Sequence, residues 1–283
     1  MSDTAIERSL AHPAPRPTEG RRGWTEYART LRWQILPFIV PVLLFSLWLA
    51  GSSFGWIAPQ ILPAPHLVLE TLLDLARSGD LWSNTWISLS RVLVGFAGGT
   101  VLGLLLGSSL GMSRTLESYV LPSFNALVQI PVLGWLPFLL LLVGIGEPLK
   151  YLLIGQAALV PVTLSTLQGF RQAPAAYYEV ADVFRYSRWQ LITEVVFPAA
   201  LPTIATGVRL AFTKAWLALV VVELVASSQG LGYLIVYGRQ LFQLDLVMAA
   251  VIVVGAIGYV IDRLLNALEA RLTRGARRAF RAF

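Results

Sequence analysis

PAAYYEVADVFRYSRWQLITEVVFPAALP, residues Pro174 to Pro202, decides how this chain is built. The stretch is too charged to cross a bilayer, and long apolar segments flank it on both sides. Pro174 suits the first turn of a helix, where its missing N–H has no partner to lose. Ala175 to Phe184 then propagates readily as helix. Ser187-Arg188-Trp189-Gln190 is a capping box: the Ser hydroxyl accepts from the Gln190 N–H while the Gln side chain reaches back. The spacing predicts two short helices joined by a tight turn, closed by Pro198 and Pro202 where the chain re-enters the membrane. A capped, amphipathic helix pair on one membrane face is a docking surface for a soluble partner.

Composition supports a polytopic membrane protein. Of 283 residues, 56% are hydrophobic and only 13% charged, with mean hydropathy +0.66, more apolar sequence than a water-soluble domain needs. Cysteine is absent, so disulfides and thiolate chemistry are excluded. The two histidines, His12 and His66, have no second ligand nearby, so no metal site is expected. A net charge of +6 is compatible with nucleic acid, but the arginines lie beside apolar spans, so they are assigned to span orientation and no nucleic-acid partner is expected.

A span needs roughly 20 apolar residues to cross a hydrocarbon core about 30 Å thick. That window predicts an all-α bundle of about six transmembrane helices: Gln34–Ser53, Asn84–Gly111, Ser118–Val143, Pro148–Gln168, Ala199–Ala226 and Leu246–Ala267. Gly144-Ile145-Gly146-Glu147-Pro148 reads as a hairpin turn between the third and fourth, where a misreading changes the count by one. Residues 1–33 read as a flexible tail, 34–268 as the membrane domain with the short helix pair at 174–197, and 269–283 as a basic tail. Fifteen Lys or Arg fall in the tails and in the loops near Arg114 and Arg171–Arg188, against three in the opposite loops. This bias predicts cytoplasmic termini and a cytoplasmic 174–202 segment. Leu67–Arg77 is amphipathic and lies either on the outer membrane surface or against other outer loops.

Gly95, Gly99, Gly103, Gly107 and Gly111 recur every fourth residue of the second span. They lay a bare groove along the helix that lets another backbone approach closely, within one subunit or between subunits.

Glu179-Val180-Ala181, then position 185, then Val195-x-Phe197-Pro198 resembles the EAA loop of ABC importer permeases. Ser187-Arg188-Trp189-Gln190, Pro198-Ala199-Ala200-Leu201-Pro202, Ser228-Gln229-Gly230-Leu231-Gly232-Tyr233 and Gly144-Ile145-Gly146-Glu147 are similar to the nitrate/sulfonate/taurine/bicarbonate branch. The resemblance covers residues 35–268 and implies a type I ABC importer permease fold in a bacterial inner (plasma) membrane. It implies a separate cytoplasmic ATPase subunit that holds ATP and Mg, a periplasmic or extracellular solute-binding protein, a second copy of the chain, and surrounding membrane lipid. Glu179, Val180, Ala181, Asp182, Arg185, Ser187 and Pro198 would couple to the ATPase, with Glu179 and Ala181 on the helix that enters its groove. One departure is Arg185, where the family places Gly. A non-Gly residue in that left-handed turn costs roughly 1 kcal/mol, so either the turn is built differently or Arg185 recovers the strain through a partner or lipid phosphate.

Two lysines are present: Lys150 precedes Tyr151 and Lys214 precedes Ala215, so Gly-x-x-x-x-Gly-Lys-Ser/Thr is absent. No catalytic residue and no bound cofactor is expected on this chain; hydrolysis belongs to the partner. For the pathway, Arg209, Trp216 and Glu223 fall within about 40° of one another on one helical face, and that face reads as pathway or gate, or as two charges snorkelling to opposite interfaces. Lys214 points elsewhere, and either attracts an anion or pairs with an acid on another span; Arg91 carries the same ambiguity. Gln129, Asn125 and Gln156 either line a cavity or tie helices together. The predicted cargo is a small anion such as a sulfonate, taurine or nitrate. The alternatives are an organic cargo such as a thiamine-precursor pyrimidine, or a carrier or channel that works alone.

Overall fold

The computed structural model describes residues 22–55, 58, 61–173 and 175–279, with backbone alone at 22–35, 37–38, 175, 178, 180, 188 and 274–279. Every regular element among them is helical: α1 (Arg22–Ser53), α2 (Pro65–Ser78), α3 (Asp80–Met112), α4 (Arg114–Val128), α5 (Leu136–Val143), α6 (Glu147–Arg171), α7 (Ala175–Val183), α8 (Arg188–Gln190), α9 (Phe197–Ala226), α10 (Leu231–Gln240) and α11 (Leu244–Ala279). A 3₁₀ turn, Val132–Trp135, precedes α5, and a π-helical stretch, Leu191–Val196, precedes α9. The chain divides into residues 1–58, which hold α1, and residues 59–283, which hold the rest.

Among the described residues, three helices are long and apolar enough to cross a membrane singly: α3, α6 and α11 over Leu244–Thr273. Two bent pairs raise the number to five: α4 with Val132–Val143, at 87°, and Leu191–Ala226 with α10, at 41°. The expected third span, Ser118–Val143, is therefore a broken element. The break falls at Gln129–Pro131, where Pro131 has no N–H to continue the ladder. The expected first span, Gln34–Ser53, lies within α1, whose described apolar stretch covers Ile39–Ser53. At the other end α11 continues helical through most of the basic segment. Residues 1–21 and 280–283, read from the sequence as parts of the tails, and Pro174 itself lie outside the described residues.

The glycine groove of α3 packs along α6. A Cβ added at Gly99 would meet the Gly155 carbonyl oxygen at 2.2 Å, and one at Gly107 would meet the Thr163 carbonyl oxygen at 2.6 Å. Gly95, Gly103 and Gly111 sit as closely against Ile154, Val162 and Phe170. Of the two readings of this stripe, the groove is filled within the chain. With no water to expel in lipid, such backbone proximity is what holds two spans together. α9 lies on the other side of α6, where a Cβ at Gly207 would meet Ser165 Cβ at 2.2 Å. The core joins these helices to α10 and α11 through Val92, Ile154, Val162, Phe212, Trp216, Leu219, Leu231 and Ala250.

The second short helix does not close at Pro198. α8 runs through the π-helical stretch into α9 as one continuous rod. Pro198 sits in the first turn of α9 and Pro202 inside it. Neither can donate to the residue four before it, and the local widening lets the Phe197 N–H reach the Ile192 carbonyl instead.

Candidate functional site

The α7–α8 turn is a tightly capped projection. Arg185 adopts φ +54°. Its N–H donates to the Asp182 carbonyl at 3.0 Å, and the Tyr186 N–H donates to the Ala181 carbonyl at 2.9 Å. These are the paired bonds of a Schellman cap, with Arg185 in the left-handed position that glycine usually fills. The turn is thus the one the resemblance expects, carried by an arginine. The Ser187 N–H then donates to Gln190 Oε1 at 3.0 Å, and the Gln190 N–H to Ser187 Oγ at 3.3 Å. That is the reciprocal capping box.

Outward from this turn stand Val183, Phe184 and Trp189, with 80%, 69% and 72% of their surfaces exposed. Glu179, Asp182 and Arg185 are exposed too. Ala181 is 4% exposed and turned into the chain, so its methyl is no outward contact, whatever α7 meets. The Val180 side chain lies outside the described residues. Sequence reasoning missed Phe184 and Trp189 as surface groups. Their signal was an aromatic on either side of a polar turn, which burial patterning alone reads as core.

A second constellation ties the opposite end of the bundle. Arg91 of α3 donates from Nε and Nη2 to the two oxygens of Glu147, at 2.8 and 2.6 Å. Its Nη1 donates to Glu223 Oε1 at 2.8 Å and to the Gln229 carbonyl at 2.7 Å. Lys150 Nζ donates to Glu147 at 2.8 Å. Glu223, 1% exposed, also accepts from Ser88 Oγ at 2.9 Å and from the Gly232 N–H at 2.9 Å. Ser88 in turn accepts from the Leu231 N–H, and Asn84 from the Gly230 N–H. Gly230 has φ +110°, and a Cβ there would sit 2.4 Å from Glu223 Oε1. The runs Gly144–Glu147 and Ser228–Tyr233, separate in sequence, therefore meet on one arginine.

This changes the expected pathway face. Glu223 is sealed in the network; Trp216 is buried and stacked on Phe212 with ring centres 6.4 Å apart. Arg209 pairs with Glu269 of α11 at 3.4 Å. The three share a helical face as the wheel requires, but that face packs on α10 and α11 instead of facing open space. Gln129 is exposed, and its amide donates to the Asn125 carbonyl at 3.3 Å.

Lys214 lies on the other side of α9 and lines a cavity of about 720 Å³ with Leu217, Ala218 and Val221. The 3₁₀ turn with Pro131 and Trp135, and Gln156 of α6, supply other walls. Irregular backbone at membrane depth is tolerated where it lines a cavity, which accounts for the broken α4–α5 element here. Of the three polar candidates in the sequence, Gln156 lines this cavity and Asn125 lines another, of about 1060 Å³, beside Glu117 and Arg171, whereas Gln129 lines neither.

Residues 99–274 match the family described as "Binding-protein-dependent transport system inner membrane component". The chain is similar to the aliphatic sulfonates transport permease protein SsuC of Bacillus subtilis (strain 168), 36% identical over 83% of this chain and 86% of that protein. It is similar to the taurine transport system permease protein TauC of Escherichia coli (strain K12), 30% identical over 87% of this chain and 94% of that one. Among solved structures, an inward-facing MetNI methionine ABC transporter matches with TM-score 0.58 and 18% identity, over 66% of this chain and 93% of the other. At that identity the likeness concerns the fold.

Proposed function

This chain belongs to the family of binding-protein-dependent transport system inner membrane components, and from that premise we propose that it carries a small anion inward, driven by ATP hydrolysed on a separate subunit docked at α7–α8. That it is a transport subunit, the permease of an ABC importer, follows from membership. The anion follows the sulfonate and taurine relatives. The ATPase holds ATP and Mg; this chain contributes the path and the coupling lever. A solute-binding protein delivers cargo on the opposite face, and a second copy of the chain completes the path. Both termini and α7–α8 are cytoplasmic, in keeping with the excess of basic residues on that side.

The observation that carries this reading is the capped turn with its exposed aromatics. A helix end held by four local hydrogen bonds, two in the Schellman cap and two in the capping box, is stiff. Phe184 and Trp189 are the residue types that anchor protein contacts. Because α8 runs on into α9 as one helix, a push on the turn is delivered along α9 to the cavity wall at Lys214. Glu179, Asp182, Arg185 and Ser187 surround or build the contact, and Pro198 lies on the rod just beyond it.

The test is co-purification. Glu179→Lys is expected to loosen the ATPase and abolish uptake while the protein stays in the membrane. Full retention of the ATPase by that variant contradicts the docking assignment.

A further inference from the structure

We propose that Lys214, with Gln156, forms the transit site that holds the cargo's anionic group inside the membrane, an inference that rests on the anion-importer reading above. Five cations in or at the ends of α3, α6 and α9 can be compared. Arg91, Lys150, Arg171 and Arg209 each pair with a carboxylate: Glu147 and Glu223, Glu147, Glu117, and Glu269. Lys214 has no ion-pair or hydrogen-bond partner among the described residues, and it stands in the middle third of α9, far from either end. A charge at that depth is costly, and an unpaired one is retained for use.

The cavity chemistry fits one sign of ligand. Its walls are apolar apart from a few groups, and no Asp or Glu is among its lining residues. The polar groups are the Lys214 ammonium, the Gln156 amide and the Trp135 indole. The Trp135 Nε1–H is buried and has no acceptor among the described residues. An indole N–H and an ammonium only donate hydrogen bonds, and a Gln amide donates through its NH₂. A sulfonate, carboxylate or nitrate oxygen supplies the acceptors that Lys214 and Gln156 lack, whereas the Trp135 N–H exposes no surface to the cavity. A cation would meet repulsion, and an uncharged ring would leave Lys214 unpaired. The apolar remainder keeps the hold weak enough for release, since each copy of the chain contributes one cation to its wall.

The experiment is ATP-driven uptake by the complete complex, with its ATPase and solute-binding protein, in vesicles of phosphatidylcholine with and without phosphatidylglycerol. The probes are radiolabelled taurine, ethanesulfonate and nitrate, with a hydroxymethylpyrimidine as the uncharged control. Lys214→Met is expected to lower the initial rate for the transported anion by at least about tenfold, the loss of one charge-assisted hydrogen bond. Lys214→Arg is expected to keep most of the rate, and Gln156→Leu to lose less than Lys214→Met. Co-purification with the ATPase reports assembly for each variant. Anion uptake by Lys214→Met at the rate of the unaltered chain overturns the site but leaves the importer reading standing. Equal loss in the Met and Arg variants also overturns it, because a charge is then not what matters. A defect seen only with phosphatidylglycerol assigns Lys214 to lipid headgroups and overturns it too. Uptake of the pyrimidine alone by the unaltered complex removes the anion reading itself.

Discussion

Helix α9 carries one charge near its C-terminal end and one in its middle third, and the fold treats them in opposite ways. Glu223 is sealed against Arg91, Ser88 and the Gly232 N–H. Lys214, two and a half turns earlier at about 3.6 residues per turn, faces a cavity and has no partner among the described residues. Both are charges on one apolar helix, and charge alone therefore does not mark a pathway. What separates them is completion. Glu223 has its donors supplied by the chain, so it fastens α3, α6, α9 and α10 together. Lys214 has no partner among the described residues, and its ammonium is open to the cavity.

That contrast is most easily broken at the sealed end. Glu223→Ala leaves the Arg91 guanidinium with one of its two carboxylates removed and strands the Ser88 and Gly232 donors. Removing one member of a buried pair typically costs about 3–5 kcal/mol. The expected outcome is a large fall in thermal stability in detergent and loss of folded protein from the membrane. An uptake defect with stability intact would return Glu223 to the pathway, where its helical face alone had put it. Gly99→Ala comes next. Its methyl would meet a carbonyl oxygen at 2.2 Å, and overpacking of this kind costs about 1–3 kcal/mol. Unfolding in graded denaturant measures it, and no change would mean that α3 and α6 are less closely apposed. Arg185→Gly is smaller and opposite in sign: removing a side chain from φ +54° is expected to stabilise the turn by roughly 1 kcal/mol. Hydrogen exchange at the Tyr186 amide reads the change. If the same variant also transports less, the arginine has a second role in the contact. Lys214→Met closes the series, with stability shifted by less than about 0.5 kcal/mol although uptake falls; a destabilised Lys214→Met would make it a structural residue like Glu223.

Local chemistry explains which features could be read before the structure. The capping box at Ser187–Gln190 and the turn at Arg185 involve partners within five residues, so spacing suffices to find them. The glycine stripe on α3 was equally plain, but its partner was not: a period of four tells which face is bare and says nothing of which helix fills it. Arg91 and Glu223 lie 132 positions apart, and no helical wheel on α9 can reveal that a guanidinium from α3 occupies the same space. The broken third span had a visible cause in Pro131 and Pro137; a hydropathy window averages over both. Pro198 misled in the opposite direction. Prolines end helices only when the backbone cannot adjust, and here a π-helical turn absorbs the missing donors.

Because the chain has no cysteine, a single one introduced at Trp189 is a unique reporter on the coupling turn. Trp189→Cys in the purified complex, labelled with a maleimide–benzophenone and illuminated, is expected to cross-link to the ATPase subunit by insertion of the photoexcited ketone into a neighbouring C–H bond, with a yield that changes when ATP is added. Labelling of that cysteine from the external face of intact cells, with no product containing the ATPase, would contradict the claim that force enters this permease through α7 and α8.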